Sequence, residues 1–300
     1  MHKVFKTLFI SKIMTFKEEL REKLKGKIPA EKLEFLPSGF QAVGEICILN
    51  LNKELLGYKK EIGEASLEIF TRFKSVCNKT GEITGKFREP QIEVIAGEKK
   101  TEAIVKENNC LYKFDVAKIM FAKGNINERV RIARQVKKGE IIVDMFAGIG
   151  YFSVPIGKLA EPKKVYSIEL NPNSIYYLKE NLKLNKIEDK FEVIEGDCRE
   201  EVDKLVEKGV GADRVVMGYL PPPRGFVPWA LKIVKNKGIV HYEEIFNLDE
   251  DKRDKEVGEV MKKIEEYSKE QGKKVKLLSV NYVKDYRPHV GHYVLDLEVD

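Results

Sequence analysis

Cysteine is scarce and scattered: Cys47, Cys77, Cys110 and Cys198 lie far apart, and none belongs to a C-x-x-C pair. That spacing excludes a zinc knuckle and a small disulfide framework, so reduced thiols are expected. Long apolar runs are also missing. The longest, such as 141–143 and 117–122, are too short or too interrupted to cross a bilayer. The N-terminus shows no small-residue cleavage pattern. A soluble, cytoplasmic, monomeric protein is the expectation. No internal repeat or low-complexity stretch is present. What is present is a chain of 300 residues, 43% of them hydrophobic, long enough for one large domain or two ordinary ones with real cores. Charged residues make up 34%, with Lys and Glu heavily used, which fits a surface laced with ion pairs. The net charge of +6 permits a basic face towards an anionic polymer such as RNA.

The patterning changes partway along the chain. Residues 1–15 form a mixed basic and apolar extension. Residues 16–115 read as a small α+β domain: a helix in FKEELREKLKGKIP, a strand in GEICILNL, a helix over about 53–75, a strand at 91–97, and a hairpin of TEAIVKEN and CLYKFDV around Asn108-Asn109. Residues 116–300 alternate short buried strands with amphipathic helices: EIIVDMF, KVYSIEL, KFEVIEGD, DRVVMGYL and GIVHYEEI, each followed by a helical segment. That alternation predicts a doubly wound, mostly parallel sheet. Two last runs, KKVKLLSVNYV and GHYVLDLEV, are expected to pair antiparallel at its edge. Three prolines at 221–223 stop the fourth run.

VDMFAGIGYFS follows a strand and opens a helix, where Gly148 and Gly150 let the backbone turn tightly and approach a ligand. Ser153 stands where a dinucleotide fingerprint would place its last glycine. Asp144 before the turn would repel a pyrophosphate but suits a sulfonium or ammonium, so S-adenosylmethionine is favoured over NAD. Glu169 ends the second strand 25 residues later, where it can accept ribose hydroxyls. Asp197 ends the third, placed for an adenine amino group, with the Cys198 amide donating to the ring.

Together DMFAGIG, IELNP, EGDCR and DRVVMGY resemble the class I S-adenosylmethionine-dependent transferase fold of the archaeal and eukaryotic enzymes that modify guanosine 37 of tRNA. The match runs over about 16–300, without the additional N-terminal domain that the methyltransferases commonly carry. Two sister groups share that body: the tRNA guanine-37 N1-methyltransferases, and the tRNA wybutosine-synthesising protein 2 group, which transfers the 3-amino-3-carboxypropyl group. Where the methyltransferases read S-P-R-L-x-x-E-R, this chain reads AKGNINER, keeping Glu128 and Arg129 but placing Gly124 at the arginine and Ala122 at the serine. Where they carry N-L-P, the asparagine position is Gly218. Gly124 and Gly218 resemble the aminocarboxypropyl group, whose usual signature is S-x-G-N or similar followed by E-R or E-K; Ala122 departs from the serine of that signature. The resemblance implies cofactor contacts from Ala122, Arg129, Asp144, Phe146, Gly148, Gly150, Glu169, Asp197, Cys198 and Gly218, with Tyr219 and Lys123 positioning the acceptor. It implies tRNA as partner, 4-demethylwyosine at position 37 as acceptor base, and no metal.

A sulfonium makes all three attached carbons electrophilic, so the protein selects the product by the carbon it aims at the acceptor. Gly218, Tyr219 and the vacated arginine position are expected to leave room for the aminocarboxypropyl arm. Tyr219, Phe226 and Trp229 are candidates to restack an extruded base, although Phe226 and Trp229 read first as core residues. Arg224 is a candidate for base or phosphate contact. His241 reads as a buried, satisfied histidine, and no general base stands out.

Overall fold

Short Val- and Ile-rich runs between helices, the pattern of strands covered on both faces, become the parallel centre of a seven-stranded sheet. The computed structural model describes residues 14–85, 87–121 and 124–300; most of the 1–15 extension lies outside them. Two units emerge: residues up to Ile104 with Asp115–Met120, and Val105–Phe114 with Phe121–Asp300. The sequence reading instead sets its boundary between 115 and 116.

In the first unit α1 (Phe16–Leu24) starts with a capping box, Thr15 and Glu18 each bonding the other's backbone. Four strands follow, β1 (Gln41–Val43), β2 (Ile46–Leu49), β3 (Ser75–Lys79) and β4 (Ile92–Gly97), in that spatial order. Helix α2 (Lys59–Ile69) packs Ile62 and Ala65 into the core with Leu20, Leu24, Leu49 and Val76. The expected helix over 53–75 is shorter at both ends. A 3-10 turn occupies Lys53–Tyr58, and α2 stops at Ile69 because Phe70 and Phe73 join a ring cluster with Phe16 and Phe40, the Phe40–Phe70 centroids 4.9 Å apart. Strand β3, short and polar at one end, went unforeseen.

The hairpin of β5 (Glu102–Glu107) and β6 (Cys110–Asp115) forms as expected. Asn108 and Asn109 both take positive φ, +48° and +65°, as a two-residue turn of this hand demands.

The second unit then runs α3 (Ile126–Gln135), β7 (Ile141–Asp144), α4 (Ser153–Leu159), β8 (Lys164–Glu169), α5 (Pro172–Asn185), β9 (Phe191–Glu195), α6 (Cys198–Glu207), β10 (Ala212–Met217), α7 (Val227–Ile233), β11 (Val234–Asn247), α8 (Glu250–Glu270), β12 (Val275–Arg287) and β13 (Val290–Val299). The sheet order is β12-β13-β11-β10-β7-β8-β9. The five strands from β11 to β9 are parallel, and β13 pairs antiparallel with both β11 and β12. The order reverses between β7 and β10, the switch point where open α/β sheets leave a crevice at their carboxyl ends. One core face collects Val143, Ile168, Val215, Met217, Leu231, Val240 and Ile264.

On the opposite face lies a charged network. Arg131 bridges Glu128 and Asp296 at 2.6 Å each, and Arg214 reaches Glu140 at 3.0 Å. His241 stands between Arg214 and Asp296, 2.6 Å from each. Since a guanidinium only donates, Nε2 of His241 accepts from Arg214 and Nδ1–H donates to Asp296. Burial lowers the His241 pKa and keeps the ring neutral. The sequence reading of a satisfied histidine holds.

Candidate active site

The turn between β7 and α4 rests on two backbone positions. Gly148 has φ +55° and Gly150 φ +98°, and a Cβ on Gly150 would stand 2.7 Å from Val154 Cγ2. A side chain is therefore barred by both strain and space. The turn is tied down from three sides. Ala147 N donates to Ile168 O at 2.9 Å, Gly148 N to Glu169 Oε2 at 2.8 Å, and Asn181 Nδ2 to Ile149 O at 3.0 Å.

Asp144 is wholly buried, accepting from Ser153 Oγ at 2.7 Å, while Ser153 Oγ also meets Ser167 Oγ at 2.8 Å. Burial pushes its carboxyl up to about 7 against the pull of the Ser153 hydrogen bond. Ser153, which breaks the dinucleotide pattern, thus anchors α4 to β7. Glu169 takes three backbone donors: Gly148 N on Oε2, and Leu170 N and Asn171 N on Oε1, at 2.9 and 2.7 Å. Burial raises its pKa while these donors oppose the rise. Asp197 caps α6 through Arg199 N at 3.0 Å and grips the Arg199 guanidinium at 3.0 and 2.6 Å. Cys198 opens α6, its buried thiol pushed up to about 12, largely by burial. All four cysteines are free and buried.

At the rim, Phe146 stacks on Tyr219 at 5.2 Å and meets Phe226 edge-on at 5.1 Å. Arg199 lies over Phe226 at 5.2 Å. Trp229 packs against the core and donates to Asp203 at 3.3 Å. Arg129, 2% exposed, pairs with Glu107 of the hairpin at 2.9 Å and lies over the Tyr151 ring at 4.6 Å. Ala122 and Lys123 lie outside the described residues.

Two expectations of open room need correction. A Cβ on Gly218 would run into the Phe152 ring, and one on Gly124 would run into the Lys284 side chain. Both vacated positions are filled, the first by a buried ring and the second by an ammonium from β12. Arg224, read as a contact for base or phosphate, instead makes a bidentate pair with the buried Glu244, both bonds 2.9 Å, and Glu244 also accepts from Tyr242 OH at 2.8 Å. That pair anchors the segment after the prolines, which lack the N–H needed to extend β10.

Residues that the sequence reading missed hold the hairpin against α5. Leu111 N donates to Asn185 Oδ1 at 2.9 Å, Asn185 Nδ2 to Leu111 O at 2.7 Å, and Lys113 N to Asn181 Oδ1 at 2.6 Å. Buried Asn at four-residue spacing on an otherwise apolar helix face was the available signal: apolar spacing alone leaves no reason for two amides there.

A glycine turn after the first parallel strand, acids at the next two strand ends and an antiparallel last pair beyond the fifth strand define a class I S-adenosylmethionine-dependent transferase. The TRM5/TYW2 methyltransferase domain matches residues 103–278, and the TYW2 N-terminal domain matches 20–101. The chain belongs to the TRM5/TYW2 family. A tRNA(Phe) (4-demethylwyosine(37)-C(7)) aminocarboxypropyltransferase of Pyrococcus horikoshii is 38% identical, over 94% of this chain and 97% of that protein. The tRNA (guanine(37)-N(1))-methyltransferase Trm5b of Pyrococcus abyssi is 35% identical, over 91% of this chain and 78% of that protein. The crystal structure of P. horikoshii TYW2 in complex with MeSAdo superposes with a TM-score of 0.77 at 36% identity, covering 94% of this chain and 98% of that one.

Proposed function

We propose that this chain transfers the 3-amino-3-carboxypropyl group of S-adenosylmethionine to carbon 7 of 4-demethylwyosine at position 37 of tRNA(Phe), releasing 5′-methylthioadenosine. The observation that carries this reading is the TYW2 N-terminal domain at residues 20–101, joined to near-complete overlap with an aminocarboxypropyltransferase.

The site fits an adenosyl ligand. The positive-φ turn at Gly148 and Gly150 brings backbone to the crevice at the switch point. When bound, S-adenosylmethionine supplies an electrophilic carbon, so that a carbon–carbon bond forms to the base as the carbon–sulfur bond breaks and the base sheds a proton. Glu169 serves the ribose: three backbone donors leave about one of its four lone-pair positions, enough for one hydroxyl. Asp197 and the Cys198 amide serve the adenine, with Arg199 fixing the carboxylate. Asp144 acts from beneath the turn through Ser153. Phe146 and Tyr219 offer ring faces to a base drawn out of its stack, where stacking is worth about 1–3 kcal/mol per base. Arg129 acts by holding the hairpin in place.

Incubation with cofactor and tRNA(Phe) carrying the tricyclic precursor, followed by identification of the nucleoside by-product, tests the reading. 5′-Methylthioadenosine is expected. Exclusive S-adenosylhomocysteine would reassign the chain to methyl transfer.

A further inference from the structure

A cavity of about 680 Å³ opens beside the C-terminal end of β11, and no residue of the adenosyl cradle lines it. Its floor is apolar: Tyr242, Phe246 and Ile264 are each no more than 2% exposed. One face of α8 forms a wall, since Glu256, Glu259, Val260, Lys263 and Tyr267 recur at the three- and four-residue spacing of a single helical face. Gly225 and Val227, just after the prolines, also line it, as do Arg287 and Val290 at the β12–β13 turn.

This hollow shares a wall with the rim of the cofactor crevice. Phe226, between Gly225 and Val227, meets Phe146 edge-on at 5.1 Å, and Phe146 stacks on Tyr219 at 5.2 Å. Strand β11 lies one strand spacing, about 5 Å, from β10 at the switch point. A single RNA strand whose acceptor base enters the crevice therefore carries an adjoining nucleotide to the hollow.

Charge and polarity select the occupant. Arg224 is committed to Glu244, but Lys263, Arg287 and Glu259 have no ion-pair partner among the described residues. Free cations suit a phosphate, a carboxylate accepts from the N–H edge of a base, and the apolar floor suits a base face. A bare anion would leave the acids and the floor unused. A nucleotide uses all three.

We propose that the hollow is a second nucleotide subsite, which holds a nucleotide flanking position 37 on the substrate strand. Its phosphate meets Arg287 and Lys263, and its base lies over the apolar floor beside Tyr267, with N–H groups towards Glu259. Extruding the acceptor base breaks its stacking on this neighbour, and a separate seat for the neighbour offsets that cost. The inference rests on the tRNA substrate proposed above.

Equilibrium filter binding on the full chain tests it with tRNA(Phe) carrying the tricyclic precursor, intact or with a single abasic site immediately 5′ or immediately 3′ of position 37. One of the two abasic RNAs is expected to bind the parent chain on the order of tenfold more weakly, the scale of one stacked base. A Cβ on Gly225 meets nothing within 4 Å, so Gly225→Leu narrows the hollow without a clash. In that variant the intact tRNA is expected to weaken by a similar factor and the abasic site to cost nothing further, as a shared contact requires. Lys263 is exposed, so Lys263→Ala keeps the test open should Gly225→Leu disturb the fold; its salt slope is expected to fall by about one. An abasic cost that persists undiminished in Gly225→Leu, or an unchanged slope in Lys263→Ala, overturns the subsite. Adenosine 5′-monophosphate, titrated alone, separates the two sources of a nucleotide: binding that Gly225→Leu abolishes, with no effect of either abasic site, assigns the hollow to a free ligand and overturns the substrate-strand assignment. By-product identity with the parent chain is read separately. S-adenosylhomocysteine there sinks the reaction and leaves the binding couplings standing, whereas missing couplings with 5′-methylthioadenosine released sink the subsite alone.

Discussion

Asp144 shows how one side chain couples the site to stability. Its folded pKa of about 7 lies above the ordinary 3.8. A raised carboxyl binds its proton more tightly in the folded chain, so its contribution is complete below the unfolded value and is lost as pH rises through the folded one. The difference of about three units corresponds to roughly 4 kcal/mol, withdrawn between about pH 4 and 7. Asp144→Asn keeps an acceptor for Ser153 and has nothing to titrate. Its thermal midpoint is expected to change less than the parent's between about pH 5 and 8; parallel pH profiles would disprove the burial argument. The acid itself was legible as a strand-end residue before a glycine turn. Its burial was not, because only the tertiary packing of Ser153 and Ser167 over it decides which way the carboxylate faces.

At the scale of elements, the segment after β10 is held by an ion pair with β11. Glu244 is wholly buried and takes both guanidinium bonds of Arg224, plus the Tyr242 hydroxyl. Tyr219 sits on the same segment and stacks on Phe146. Glu244→Ala is expected to lower the single-turnover rate on the order of tenfold or more, since misplacing a reacting group by an ångström is costly. Cofactor affinity by calorimetry should stay near the parent value, because the adenosyl cradle lies on β7, β8 and α6. A matching fall in affinity would mean that the clamp supports the whole crevice instead. The strand-stopping effect of Pro221, Pro222 and Pro223 was readable in advance. The clamp was not, since Arg224 and Glu244 are 20 residues apart and only the parallel register of β10 and β11 brings them together. The helix expected over 53–75 failed for a related reason: phenylalanines that fit a helical period were claimed by a ring cluster built from distant segments.

At the scale of the whole molecule, the net charge of +6 and a tRNA substrate lead to a salt prediction. Affinity for tRNA is expected to fall at least about tenfold between about 50 and 200 mM monovalent salt, as phosphate contacts release counterions. Affinity for S-adenosylmethionine should change little over that range. Filter binding and calorimetry give the two slopes, and a tRNA slope near zero would rule out phosphate contacts as the main attraction. Local pattern alone determined the alternation of strand and helix, the antiparallel last pair, the hairpin at Asn108-Asn109 and the positions of the glycine turn and strand-end acids, because each depends on residues close in sequence. Only the tertiary structure decided that Phe152 fills the space beside Gly218, that Lys284 takes the place vacated at Gly124, and that Arg224 meets the buried Glu244. Those outcomes depend on side chains far apart in the chain meeting across a sheet, where register and packing set which polar groups find each other.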